Sequence, residues 1–314
     1  MGAGLHLDYL TLGHVTVDVL EDGTRQPGGT AFYSALQAAR LGLRTEIVTR
    51  GDPAEIEGLL EPYGDELSLR VLPSPQTTVL ATRGEGVGRR QRLLAWAGPL
   101  PELLTLESEV VHLAPVAREL PERWSGDWGL LGLTPQGLLR QWSPAGAPEP
   151  WPGAELVLTA AGTAADPRSR GGRPARELAG RLRRLGGLCD ATVMSELESR
   201  GCEELIAAAR ARGAVVAITA GPRPVTLHVG GRTEQLAVTP LSPGATVSDM
   251  GAGDVFAAAL FAELAGGSEP VAAAQFAAAA AAVRMQSHGA AAIAGRGTIE
   301  RYMRASGSAE TPPQ

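Results

Sequence analysis

The chain runs Ser248-Asp249-Met250-Gly251-Ala252-Gly253-Asp254-Val255-Phe256 near its C-terminal end. Two acids bracket a Gly-Ala-Gly turn. The turn leads straight into an apolar, Ala-rich segment, Phe256 to Phe261, that predicts a helix. Small residues let backbone approach a ligand closely, and the first N–H groups of a helix point outward from the positive end of its dipole. Such a turn is an anion hole suited to a phosphoryl group. Asp254 stands at its rim, where a carboxylate can take the proton of an attacking hydroxyl. An anion hole beside a base implies phosphoryl transfer to an alcohol.

Outward from this turn, the pattern is that of an α/β chain. Ala214–Thr219 and Val225–Val229 read as strands around the turn Gly221-Pro222-Arg223-Pro224. Ala191–Met194, Leu156–Thr159, Trp128–Leu133 and Val110–Ala114 are further candidates for buried strands. Near the N-terminus, Tyr9–Gly13 is a short apolar strand. Gly28-Gly29 then opens a helix-period stretch, Ala31 to Gly42, and Thr45–Arg50 is the next strand. Strand, crossover helix and strand form the unit of a parallel sheet. Thr77–Thr82 and Arg92–Trp96 flank Gly84–Gly88 as a hairpin. Two closing helices are expected, Asp254–Leu264 and Val271 to about Gln286. Residues 162–187, rich in Gly, Arg and Pro, read as a surface insertion followed by a solvated helix. Residues 306–314 read as a disordered tail.

Composition excludes several classes. The 314 residues are 44% apolar, enough for a large core, and carry a net charge of −6 with no basic block. Nucleic acid and anionic membrane are therefore not expected partners. Cys189 and Cys202 lack metal-ligand spacing and read as ordinary thiols. The N-terminus has neither a charged start nor a long apolar run, so a cytoplasmic protein is expected. All 28 basic residues are Arg; there is no Lys. A phosphate loop of the Walker type and lysine Schiff-base chemistry are thereby excluded. Phosphate charge must be met by Arg, backbone N–H groups or a metal.

The two glycine motifs, in this order and at this spacing, resemble the ribokinase-like (PfkB-type) carbohydrate kinases over roughly Tyr9 to Arg304. Gly13-His14…Asp18, Ala114-Pro115-Val116 and Leu131-Gly132-Leu133-Thr134-Pro135-Gln136-Gly137 are most similar to a bacterial branch related to inositol kinases. The resemblance implies a single α/β/α sandwich over 1–305 with a mostly parallel sheet. It also implies a reduced β lid built from about 15–27 and 76–96.

It further implies ATP and Mg²⁺ as cofactors, with a monovalent cation near Asp249 as an option. The acceptor would be a sugar, inositol or nucleoside, and pairing of two copies through the lid is an option. Asp254 would be the general base. Gly251, Ala252 and Gly253 would offer N–H groups to the phosphoryl, and Asp249 would order the motif. Thr16, Asp18, Gly28 and Gly29 would line the acceptor pocket. Thr219 and Gly221 would touch the nucleotide. Ser195 and Glu198 fall where a metal-linked Asn-x-x-Glu is usual, with Glu198 holding Mg²⁺ through water.

The chain departs from the pattern at Met250, where Thr is usual, at Tyr33, where Asn is common, and at Ser195. Tyr33 either stacks on a ring acceptor or fills a helix face. Arg90, in the hairpin, is a candidate for a substrate phosphate. His14 and His112 read as packing or hydrogen-bonded residues. Asp254 alone would be an ordinary first-turn acid complementing the helix dipole; the glycines before it favour catalysis. Two other readings stand beside the kinase. One is a kinase-fold protein that binds nucleotide or sugar without catalysis. The other, an oxidoreductase, lacks a Gly-x-Gly-x-x-Gly after the first strand.

Overall fold

The computed structural model describes residues 7–84, 90–141, 155–158, 173–242 and 248–307. In chain order the strands are β1 (Tyr9–Leu12), β2 (Thr16–Val19), β3 (Arg25–Gly28), β4 (Thr45–Gly51), β5 (Ser68–Pro73), β6 (Thr78–Arg83), β7 (Arg90–Ala95), β8 (Leu104–Leu113), β9 (Trp124–Leu133), β10 (Arg140–Gln141), β11 (Glu155–Leu158), β12 (Ala191–Ser195), β13 (Val215–Ala220), β14 (Arg223–Val229) and β15 (Arg232–Leu236). The helices are α1 (Thr30–Arg40), α2 (Pro53–Leu60), α3 (Gln136–Leu139), α4 (Arg173–Gly186), α5 (Glu196–Ser199), α6 (Glu203–Ala211), α7 (Ala252–Ala265), α8 (Pro270–Arg284) and α9 (Arg296–Gly307).

The large sheet has the order β15-β14-β13-β12-β9-β8-β1-β4-β5. Its pairs from β12–β13 to β4–β5 are parallel, and β14 and β15 add an antiparallel edge. The chain runs outward from β1 through β4 to β5, then returns to lay β8 on the other side of β1. A ligand crevice is expected at such a reversal, beyond the carboxyl ends of the strands.

Both faces of this sheet are covered, so its strands are apolar on both sides. All four residues of β1 are buried. Tyr9 joins the core under α1, α7 and α8, while Leu10 and Leu12 join the core under α4 and α6. Helix α7 is apolar all round, and Val255 to Phe261 are at most 2% exposed, which makes it a central helix. It packs against α1 and α8 through small side chains. Ala257, Ala258, Ala259, Ala273, Ala277 and Ala280 are all buried.

The second sheet has the order β10-β11-β7-β6-β2-β3. This smaller sheet, the lid, has the hairpin β6–β7 at its centre and takes in β10 and β11 beyond the segments 15–27 and 76–96. None of its strands exceeds six residues. Its own small core is Leu80 and Leu93 packed with Val116 and Ala117.

Three expectations change. Leu156–Leu158 is not a strand of the large sheet; it pairs antiparallel with β7 and β10 in the lid. Helix α4 is not simply solvated: it turns Leu182 and Leu185 into the core against α6, leaving Arg183 and Arg184 outside. A third C-terminal helix, α9, follows the two expected ones. Residues 162–172, Trp142, Trp151 and the tail beyond 307 lie outside the described residues.

Candidate active site

The Gly-Ala-Gly turn caps α7. Gly251 is its N-cap, with φ 74°, and Asp254 lies in the first turn. The left-handed backbone favours Gly. A side chain there would also strike Tyr33, since an added Cβ would lie 2.5 Å from Cδ1 of that ring. The N–H of Ala252 donates to Asp249 O at 3.2 Å, so Asp249 orders the turn through its backbone. That amide is engaged within the turn. Gly253 and Asp254 follow in the first helical turn, where N–H groups lack an intrahelical partner. Gly253 is exposed, as a ligand-facing position requires. Ser34 on α1 donates to Asp254 O at 3.2 Å and fixes the helix start from the other side.

The acceptor candidates meet this turn. Thr16 and Asp18 lie on β2, and Thr16 Oγ1 donates to Asp18 Oδ1 at 2.8 Å. Gly28 ends β3 directly opposite Thr16, and the Asp18 carboxylate fills the place of the missing side chain. Gly29 is the N-cap of α1. Gln26 on β3 donates to Met250 Sδ at 3.2 Å, tying the lid to the residue that departs from Thr.

Tyr33 is 2% exposed and packs beneath Gly251, with the Arg284 guanidinium 5.6 Å from its ring centre. Of its two expected roles, packing is the one observed. Burial raises its phenol pKa strongly, and the nearby Asp18 and Asp254 add to that. Arg90 stands exposed at the outer end of the hairpin, paired in register with Arg83.

The donor candidates sit on the far side. Ser195 and Thr219 pair in register at the ends of β12 and β13, and Thr219 Oγ1 donates to Met194 O at 3.4 Å. Gly221 is exposed in the turn that follows. Ser195 caps α5: its hydroxyl accepts the Glu198 N–H at 3.2 Å, and Glu198 Oε2 accepts the Ser195 N–H at 2.6 Å. This is a capping box. Glu198 is therefore buried and half committed to the fold. Among the described residues no three His, Cys, Asp or Glu side chains form a metal cage. The residues fit an Mg²⁺ that keeps its waters and is carried largely by the donor's phosphates.

Two residues that the sequence reading passed over complete the site. Glu119, fully buried, accepts the N–H groups of His14, Val116 and Ala117, closing the crevice between β1 and β8. Arg140, 5% exposed, donates to Val116 O at 2.9 Å and to Gln91 Oε1 at 2.8 Å. Burial pulls its guanidinium below the usual value, opposed by Glu198, Asp254, Asp18 and Glu119. The charge of one guanidinium is thus favoured by the carboxylates of the metal, base and acceptor candidates together. Neither residue carries a sequence signal.

His14 and His112 are structural. Thr78 Oγ1 lies 2.8 Å from His14 Nδ1, and His112 bridges Tyr9 and Thr134 at 3.0 Å each. The two cysteines are buried and free, and burial raises both thiols. Among the described residues no helix is long and apolar enough to cross a membrane.

Solved structures share this architecture. A pyrophosphate-dependent kinase in the ribokinase family, complexed with a pyrophosphate analog and myo-inositol, is 20% identical; the match covers 93% of this chain and 99% of that one, with a TM-score of 0.67. Ribokinase of Arabidopsis thaliana, complexed with ribose and ATP, is 18% identical over 96% of this chain and 99% of its own, with a TM-score of 0.64. Fructokinase of Vibrio cholerae O395, with fructose, ADP and calcium bound, is 17% identical over 95% and 99%, with a TM-score of 0.63. Among curated proteins none matches the sequence. The fold is that of the ribokinases. Residues 189–294, which include Ser195, Thr219 and the Gly251–Asp254 turn, match the model of the pfkB family carbohydrate kinases. The chain has the ribokinase fold and carries, over residues 189–294, a segment of the pfkB family type.

Proposed function

We propose that the protein transfers the γ-phosphoryl group of ATP, with Mg²⁺, to a hydroxyl of a sugar, cyclitol or nucleoside. The observation that carries this reading is the placement of Asp254 in the first turn of α7, beside a Gly251 whose left-handed backbone shapes an anion hole. Asp254 takes the hydroxyl proton. The first-turn N–H groups stabilise the charge on the transferred group. Thr16 and Asp18 hold the acceptor. Bound Mg²⁺ would neutralise donor phosphate charge, with Glu198 reaching it through water.

A second reading changes only the donor. The likeness to a pyrophosphate-dependent kinase bound to myo-inositol supports pyrophosphate in place of ATP and an inositol as acceptor. Both readings are tested at once by offering ATP or pyrophosphate, with Mg²⁺, against pentoses, hexoses, inositols and nucleosides. Turnover on one acceptor with one donor is expected. Asp254→Asn should lower turnover by on the order of 10²–10⁴ while remaining folded. Near-native turnover by that variant would reject Asp254 as the base.

A further inference from the structure

Arg140 is built into the protein at an energetic cost. A guanidinium removed from water loses several kcal/mol of hydration unless charge and hydrogen bonds replace it. Here Nη1 and Nη2 reach neutral oxygens, Val116 O and Gln91 Oε1, and Nε is buried with no hydrogen-bond partner. The charges of four carboxylates from four places favour the group: Glu198 from α5, Asp254 from α7, Asp18 from β2 and Glu119 from the loop after β8. Glu119 already accepts three backbone N–H groups. The position in the chain is also particular. β9 belongs to the large sheet, α3 follows it, and Arg140 opens β10 in the lid. Its side chain reaches back to Val116 O in the loop after β8 and across to Gln91 on lid strand β7.

A site lined by Asp18, Asp254 and Glu198 repels a polyanion. In a chain without Lys, the opposing charge must come from Arg, backbone dipoles or metal. Arg90, the arginine singled out from the sequence, is exposed at the end of the hairpin, where solvent screens its charge. Arg284 is buried too, but its guanidinium is held on the C-terminal side, 5.6 Å from the Tyr33 ring centre and donating to Ser287 O at 2.9 Å.

We propose that Arg140 is a positioning residue of the donor site: a buried guanidinium tethered between lid strand β7 and the loop after β8, whose charge offsets Asp18, Asp254 and Glu198 and draws the polyanionic phosphoryl donor toward them. This deepens the kinase reading above and rests on it for the identity of the donor. The field of the group acts at short range inside the crevice, where water screens it little.

The test is calorimetric titration of the full chain with inorganic pyrophosphate in the presence of Mg²⁺, which needs no turnover. Arg140→Gln keeps length and polarity but removes charge, and should weaken binding by at least about tenfold. Arg140→Lys keeps the charge and should bind within about threefold of the parent chain. Gln91→Leu cuts the lid tether but leaves the charge, and should also stay within about threefold. Equal binding by a folded Arg140→Gln chain would overturn the proposal, as would no pyrophosphate binding by the parent chain. If Arg140→Gln does not fold, loss of binding by a folded Arg140→Lys chain overturns the charge assignment. A chain that binds pyrophosphate through Arg140 yet phosphorylates no acceptor would sink the kinase reading and leave this one standing.

Discussion

Tyr33 and Gly251 lie against each other so closely that the ring occupies the space any side chain at 251 would need, with 2.5 Å between an added Cβ and Cδ1. A helix near the N-terminus thereby sets the shape of a turn more than two hundred positions away.

Gly251→Ala is expected to be damaging twice over. The left-handed backbone, φ 74°, costs an ordinary residue about 1–2 kcal/mol, and Tyr33 must also shift. Urea unfolding should show a loss of ~1–3 kcal/mol. Because the turn would move by a fraction of an ångström to an ångström, turnover should fall by up to about 10²-fold. Unchanged stability and turnover would contradict this geometry.

Asp18→Asn tests the acceptor pocket. Asp18 is 3% exposed and accepts from Thr16 Oγ1 at 2.8 Å. A charge-assisted hydrogen bond to an acceptor hydroxyl is worth ~1.5–3 kcal/mol, so acceptor KM should rise by about 10- to 100-fold. Donor KM should change far less. A rise confined to the donor would place Asp18 elsewhere in the reaction.

Glu198→Gln separates two jobs. Gln can also close a capping box, so α5 and the melting temperature should be nearly unchanged. The amide attracts a hydrated cation more weakly than a carboxylate, and the Mg²⁺ needed for half-maximal activity should rise by about tenfold. An unchanged Mg²⁺ requirement would leave Glu198 with its capping role only.

Acid should weaken the fold through His112. Burial lowers its pKa from 6.5 to about 3. Below pH 6.5 the unfolded chain takes up a proton that the folded chain refuses. The stability is therefore fully present above pH 6.5 and falls as pH drops toward 3, by up to ~1.4 kcal/mol per pH unit. Buried His14, also lowered chiefly by burial, acts with the same sign. Urea unfolding between pH 7.5 and 5 should show the loss, and His112→Gln should flatten it. Equal slopes in both chains would assign acid sensitivity to other groups.

Much of this site could be read from the sequence because its parts are conformationally demanding. A left-handed N-cap needs Gly, and an apolar, Ala-rich run after it can only be a buried helix. The end of α1 and the β6–β7 hairpin were equally marked by their glycines. Arg140 and Glu119 were not legible, because an arginine after Leu138-Leu139 and a glutamate after Arg118 look like any surface charge. Their burial is decided by β7, β8 and α5, elements distant in the chain. The sheet of β11 was not legible for a related reason: three apolar residues, Leu156 to Leu158, fit either sheet, and only pairing with Arg92 and Gln91 decides between them. The Leu face of α4 was masked by its arginines.

The alanines between α7 and α8 have one more consequence. A methyl group has no rotamers to freeze, so the seat of the Asp254 helix was assembled with almost no side-chain entropy lost. It also has none to regain on heating. Asp254 stands on a floor that can shift only as backbone, and its aim should stay constant over the temperature range in which the helices remain packed.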